Sequence, residues 1–343
     1  MKVSVVIPTY NSARFIRITL DSVLAQTRAP DEVLVLDDGS TDDTVAIVRS
    51  YEPRVTVRTQ QNRGVAHARN VLCREARGDL VAFLDHDDIW HPCYLEVQWQ
   101  RFLRNPRATA FFTLHRVFEG QADYSWTEQP AYANPHFELI EPACFVRRYN
   151  NSSGTFYSMS FCCIPKAILS LLGDVPFCTE VSGVDDCYVC NSLLLHGPVV
   201  YTPTPLVAYR ISRDAQSVNQ LKNFQQVVHV FQLLEEKFQN KGDAHLLREF
   251  RRAFAGKRRV YAKTLMGVGR IAEARRQFRS AISQSGCPTS IGKSLCLFML
   301  TYFPRTLQPE WPSDVRRGCD RADKAANVVN NAVSSGPPKE HED

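Results

Sequence analysis

The sequence has no apolar run long enough to cross a membrane. A helical span needs about 18 such residues, and the longest candidate, Leu295–Phe303, reaches half that length before Pro304 stops it. No small-residue cleavage site follows Met1-Lys2, so the chain is expected to lack a leader and to be cytoplasmic, with reduced thiols. The 11 cysteines are odd in number and scattered, which argues against a disulfide framework. Cys187-x-x-Cys190 has metal-like spacing but no second pair, and reads as two core thiols on one helix. No G-x-G-x-x-G follows any strand-like run, which excludes an ordinary Rossmann dehydrogenase. Charge of one sign is also scarce. A net charge of +5 does not imply nucleic acid as a partner. The basic excess is local: eleven Lys and Arg against two Glu lie between Arg248 and Arg279. That stretch is either a solvated face or a peripheral contact with an anionic membrane or partner, and the solvated face is the simpler reading.

What is present is α/β patterning. Val3–Ile7 is a continuous β-branched run, as in a strand buried on both faces. Phe15–Leu24 has helical spacing. Runs at Glu32–Leu36, Arg54–Arg58 and Leu80–Leu84 read as further strands, with helices over about 42–48 and 64–77 between them. Asp88 is expected to start another helix, with Pro92 in its first turn. Strands alternating with helices indicate a mostly parallel sheet. Phe111–Val117 and Phe156–Ile164 read as strands, Asp123–Asn151 as a long loop over a site, and Asp185–Leu195 as a helix. Pro198–Tyr201 and Leu206–Tyr209 read as two short strands. From about Ser217 the pattern turns helical, with Val227, Val228, Phe231, Leu234 and Phe238 recurring at helical spacing. Residues 269–282 look like one helix of a tetratricopeptide unit, too few for a repeat array.

Four constellations carry chemistry. Tyr10 follows the first strand, after Pro8 and Thr9, where an aromatic ring could stack on a base. Asp37-Asp38-Gly39 ends the second strand. Ligands of open α/β sheets bind outside the carboxyl ends of their strands, so these acids either meet a ligand or merely cap a turn. Asp85-His86-Asp87-Asp88 ends the fourth run. If the strand continues, Asp85 and Asp87 share a face and offer hard oxygen ligands to Mg²⁺ or Mn²⁺, while His86 faces away. Asp185-Asp186 opens a helix, whose dipole would stabilise carboxylates and keep Asp186 ionised near neutral pH. One of the pair could act as a general base.

Taken together, Ser4–Asn11, Asp37–Asp42, Asn62-Arg-Gly64 with Ala68-Arg-Asn70, Asp85–Asp88 and Asp185-Asp186 resemble the family 2 glycosyltransferases in order and spacing. The resemblance covers about residues 1–215. It implies a GT-A fold: a nucleotide-sugar-binding half over 1–104 and an acceptor half over 105–215. A helical C-terminal region over 216–308 and a largely disordered tail over 309–343 would follow. By the same resemblance Tyr10 stacks on the base, Asp38 recognises uracil, Arg69 lies near the donor, and Asp85 and Asp87 form the metal-binding DxD motif, with Asp87 the direct ligand. Asp186 corresponds to the second acid of the family's Glu-Asp pair, the catalytic base; here the pair reads Asp-Asp. Many members carry a histidine two residues after the arginine that matches Arg210; here Ser212 stands there.

The implied activity is inverting transfer of a sugar from a nucleotide-diphosphate donor, UDP-linked first, to a carbohydrate or lipid-linked acceptor hydroxyl. Cell-surface polysaccharide or glycoconjugate synthesis is the expected setting. A haloacid-dehalogenase-like phosphatase using Asp85 and Asp87 is the alternative. It leaves residues 7–11 and 37–42 without a role, and it expects Thr or Val where Ile89 stands.

Overall fold

The computed structural model describes residues 1–119, 126, 136–150, 158–211, 220–285 and 288–302. The first half alternates β1 (Val3–Thr9), α1 (Ile16–Leu24), β2 (Glu32–Asp37), α2 (Thr44–Arg49), β3 (Thr56–Thr59), α3 (Val65–Glu75) and β4 (Leu80–Phe83). These four strands lie parallel in the order β3-β2-β1-β4. Side-chain alternation explains why the inner strands β1, β2 and β4 are mostly apolar, whereas the edge strand β3, Thr-Val-Arg-Thr, is largely exposed. Val3, Val5 and Ile7 enter one hydrophobic cluster with Val33, Val35, Leu80 and Ala82. Val6 enters a second cluster on the other face, with Leu34, Leu36, Val81 and Phe83. Both faces of these inner strands are covered, which selects apolar residues at most of their positions.

The second half adds β5 (Ile89–Trp90), α4 (Tyr94–Arg104), β6 (Ala110–Glu119), β7 (Glu138–Ile140), α5 (Pro142–Phe145), β8 (Cys162–Pro165), α6 (Lys166–Leu171), α7 (Asp185–Leu193) and β9 (Val199–Ile211). They extend the sheet as β4-β8-β6-β9-β5, with β8 antiparallel to β4 and β7 pairing β9 from off that path. The result is a mostly parallel sheet flanked by helices.

Several local expectations change here. The strand expected over 156–164 begins only at Cys162; Met159–Phe161 is a short 3-10 turn, and 156–157 lie outside the described residues. The loop expected over 123–151 lies largely outside them too, but its described end forms β7, α5 and a π turn, Val146–Asn150. The two short strands at 198–209 are one strand, β9. It tolerates Pro203 and Pro205 because its pairing with β6 shifts register there: Thr113 faces Thr202, Leu114 faces Pro205 and His115 faces Val207. The helix expected from Asp88 begins at Tyr94, because Ile89 and Trp90 first pair with Ala208 and Val207 of β9.

The C-terminal helices are α8 (Gln220–Asn240), α9 (Ala244–Gly267), α10 (Ile271–Gln284) and α11 (Pro288–Leu300). Phe231, Leu234 and Phe238 face inward as their spacing required, and Phe238 stacks on Phe250 at 4.0 Å between ring centroids. This core is continuous with the one under β4, α7 and α5. The tail over 309–343 lies outside the described residues.

Candidate active site

The carboxyl ends of β1, β2 and β4 share one edge of the sheet, because the three strands are parallel. Hydrogen bonds tie the loops that leave them. The Asp38 amide donates to the Thr9 carbonyl at 2.8 Å. Asp37 folds the next turn through the amides of Gly39 and Ser40, at 3.1 and 2.9 Å. Gly39 has φ +82°, and a Cβ there would lie 3.0 Å from the Asn62 nitrogen. Only glycine suits both the left-handed backbone and that close approach. Pro8 and Thr9 are buried within β1, whereas Tyr10 beyond it is 44% exposed and presents its ring at this edge.

Asp38 is buried and committed to structure. It accepts from the Gln60 side chain at 2.7 Å and from the amides of Arg63 and Gly64 at 2.9 and 2.7 Å. It therefore fixes the loop that starts α3. A carboxylate has about four lone-pair sites, so one remains for a ligand.

Asp85, Asp87 and Asp88 lie past the end of β4, not within it. β4 ends at Phe83, and residues 85–88 form a turn closed by the Asp88 amide on the Asp85 carbonyl at 3.3 Å. The strand argument that put Asp85 and Asp87 on one face does not apply; the turn brings them together instead. Three contacts hold it. The Asp85 amide donates to Ser160 Oγ at 3.0 Å. Arg210 Nε donates to the Asp87 carbonyl at 2.9 Å, and the Arg210 amide donates to Asp88 Oδ1 at 2.9 Å. The Arg210 guanidinium sits 4.4 Å from the ring centroids of both Phe15 and Phe118.

Arg69 joins this turn to the start of α7. It is buried, donates through Nη1 to Asp185 Oδ2 at 2.6 Å, and binds Asp85 through Nη2. Its neighbour Asn70 pairs with the backbone of Phe177 in both directions, at 2.8 and 2.9 Å. The helix α3 thus latches the two halves of the sheet across the site.

Three carboxylates, Asp87, Asp88 and Asp186, form no ion pair among the described residues. Asp87 is raised above its ordinary range, chiefly by burial and also by Asp85. Buried Asp88 behind it is raised well above, again by burial first and then by Asp87 and Asp85. Asp186 accepts the amide of Cys187 at 2.6 Å and, among the described residues, forms no ion pair, although the Arg69 charge acts on it. It keeps some surface open to solvent but is hemmed in by protein. Burial, then the charge of Asp185, push its carboxyl up to about 8. The expectation that the helix dipole would keep Asp186 ionised is therefore corrected: desolvation and a like charge outweigh the dipole.

The donor set fits a hard divalent cation. Asp85 and Asp87 bring oxygen only, and their mutual repulsion, visible in the raised Asp87, is what a cation would relieve. Among the described residues no three His, Cys, Asp or Glu enclose a metal, so a cation here would need oxygens from its ligand as well. Asp88 and Arg210, not nominated from the sequence, turn out to hold the acidic turn; the signal for Asp88 was a third acid directly after the pair. Ser212 lies outside the described residues.

Residues 4–169 match the family model for glycosyl transferase family 2. The chain is 33% identical over 132 residues to chondroitin synthase of Escherichia coli, a match covering 36% of this chain and 19% of that protein. It is 40% identical over 105 residues to the E. coli UDP-Glc:α-D-GlcNAc-diphosphoundecaprenol β-1,3-glucosyltransferase WfgD, covering 30% of this chain and 42% of that one. These matches span well under two thirds of either relative. Among solved structures, S. aureus TarS 1-349 in complex with UDP-GlcNAc superposes with a TM-score of 0.67 at 18% identity, over 93% of this chain and 92% of that one. At that identity the likeness speaks for the fold alone. None of these relatives is a phosphatase, and the haloacid-dehalogenase-like reading has no support: Asp85, the nucleophile it would need, is bound to Arg69. The matched segment belongs to glycosyl transferase family 2, and the chain carries a family 2 glycosyltransferase domain on a GT-A fold with a C-terminal helical extension.

Proposed function

We propose that the chain transfers a sugar from a nucleotide-diphosphate donor, UDP-linked first, to an acceptor hydroxyl, with inversion and with help from Mg²⁺ or Mn²⁺. The observation that carries this reading is the Arg69 bridge. It ties Asp85 and Asp185 together, while Asp87 and Asp186 form no ion pair among the described residues. Tyr10 stacks on the base, and Asp38 accepts from it through its remaining lone pair while holding the loop before α3. Pro8 and Thr9 shape the wall beneath the base. Asp87, with Asp85, holds the cation, which when bound balances the charge growing on the departing diphosphate. Asp186 takes the acceptor's proton. With a pKa near 8 it is a stronger base than an ordinary carboxylate, close to the optimum for work near neutral pH. Inversion is what the resemblance to family 2 implies: the acceptor would attack from the side of Asp186 while the diphosphate departs toward Asp87.

The relatives' names suggest the setting. One acts on a diphosphoundecaprenol acceptor and another is a polysaccharide synthase. A carbohydrate or lipid-linked acceptor in cell-surface polysaccharide synthesis suits both. No helix among the described residues is long and apolar enough to cross a membrane. The nine described cysteines are all free. The cytoplasmic side of a membrane, reached through the basic C-terminal helices, suits these facts and a lipid-linked acceptor.

A donor panel tests the proposal. Free nucleotide release is measured from UDP-, GDP- and dTDP-sugars, with Mn²⁺ or Mg²⁺ and with excess chelator. Cation-dependent release from a UDP-sugar is expected. Full turnover in chelator would remove the cation from the scheme.

A further inference from the structure

The helix α11 packs Leu297 and Phe298 against the core but also carries a second, outward apolar face. Its buried positions are Ser290 and Ser294, with Thr301 just beyond its end. Leu295 and Met299 are 48% and 52% exposed, and Tyr302 is 57% exposed. These three recur at i, i+4 and i+7, so they form one apolar stripe pointing away from the protein.

The inward face explains how this orientation is held. Arg259 of α9 donates to Ser290 Oγ at 2.7 Å and to Ser294 Oγ at 3.2 Å. Arg275 of α10 donates to the Thr301 carbonyl at 2.9 Å and lies 3.9 Å from the Tyr302 ring centroid. Rotating the stripe inward would bring Leu295 and Met299 against these guanidiniums and strip them of their acceptors. The orientation is therefore built into the helix contacts.

The charge around the stripe is of one sign. Between Phe250 and Tyr302 the sequence holds eleven Lys and Arg and a single acid, Glu273. Glu273 is already engaged by Arg270. Part of this basic run is consumed inside the helical layer: Arg258 binds Gln277 and Gln284, both at 2.7 Å, so the run is not simply a solvated face. Arg276 and Arg279 on α10 and Lys293 on α11 remain exposed; Arg276 lies 3.8 Å from Glu273, Arg279 lies 6.0 Å from the Phe298 ring centroid, and Lys293 projects from the other flank of α11 than the stripe.

We infer that α11 is a membrane-surface anchor: its Leu295–Met299–Tyr302 stripe enters the acyl boundary of an anionic bilayer, while Arg276, Arg279 and Lys293 meet the headgroups. Apolar burial and attraction to anionic lipid are the two contributions such helices use together. The absence of any acid on α11 matches that partner. This goes beyond the catalytic reading by naming the element that enters the bilayer, and it stands apart from sugar transfer.

The test is flotation of the full chain with vesicles, without donor or acceptor. Phosphatidylcholine vesicles carrying phosphatidylglycerol are compared with pure phosphatidylcholine. The wild type is expected to float with the anionic vesicles, and less as salt rises. The double variant Leu295→Ser/Met299→Ser is expected to lose roughly tenfold or more of that binding. Both changes lie on the exposed face, and circular dichroism with unchanged donor turnover would show that the fold is kept. Arg276→Glu/Arg279→Glu is expected to lose binding to anionic vesicles alone. Equal flotation of wild type and the serine variant would overturn the proposal. So would a wild type that stays with the soluble fraction and forms a dimer or larger assembly that the serine variant dissolves; the stripe would then face another copy.

Discussion

The acidic turn after β4 and the acidic start of α7 come from opposite halves of the sheet, yet each divides its carboxylates in the same way. In each pair the first acid, Asp85 or Asp185, is bound by Arg69. The second, Asp87 or Asp186, forms no ion pair among the described residues and has a raised proton affinity. They differ in what surrounds the free acid. Asp87 lies in a crowd of carboxylates that repel one another, which suits a cation. Asp186 is raised by burial, then by Asp185 and Asp85, is partly offset by Arg69, and keeps a solvent opening, which suits a proton. In the proposed mechanism the tethered acids set the geometry, Asp85 also lending an oxygen to the cation, and the untethered acids carry the main chemical roles.

The strongest way to break this division is to remove the tether. Arg69→Met leaves Asp185 buried and unpaired, and breaking a buried pair from one side costs about 3–5 kcal/mol. A urea midpoint well below that of wild type is expected, with activity lost. Unchanged stability would mean that the bridge does not form. The next effect is at the free acid of the turn. Asp87→Ala should lower turnover by roughly a thousandfold, the size of several kcal/mol of charge stabilisation, and should abolish cation binding measured by calorimetry. Full cation affinity in this variant would move the metal away from the turn.

At α7 the two neighbours should separate. Asp186→Asn should slow transfer on the order of 10²-fold or more with donor binding retained. Asp185→Asn should act mainly on stability. Folded Asp186 holds its proton more tightly than the ordinary value of 3.8, up to about 8. Wild-type stability therefore falls as pH rises through that window and stays low above it. Asp186→Asn escapes this cost, so its melting temperature should exceed that of wild type most clearly above pH 8. The smallest effect is at the base. Tyr10→Ala should weaken UDP binding by about 1–3 kcal/mol without changing stability, since the ring is exposed. Unaltered affinity would place the base elsewhere.

Much of the fold was legible because buried parallel strands advertise themselves. Val3–Ile7, Glu32–Leu36 and Leu80–Leu84 are apolar at every or nearly every position, and punctuation by Gly39, Gly64 and Gly78 marks the turns. The second half was less legible. Pro203 and Pro205 split β9 in the sequence, while a register shift keeps it whole in space. Ile89 and Trp90 gave no sign of a strand, since pairing with Ala208 and Val207 decides it. In the site, residue types at strand ends could be read. The bridge from Arg69 to Asp185 spans 116 positions, and no local pattern encodes it. The proton affinity of Asp186 was misjudged for the same reason: the dipole is local and legible, whereas the burial that overrides it is set by the fold.

The division between tethered and free acids is tested most directly by the pH dependence of kcat/KM, which reports groups in the free enzyme. For wild type it should rise through an apparent pKa near 8 as Asp186 loses its proton. That limb should persist in Asp185→Asn, shifted downward because a like charge is gone, and should vanish in Asp186→Asn, leaving a low, flat profile. The same limb in Asp186→Asn as in wild type would contradict the assignment of the base and the division drawn from it.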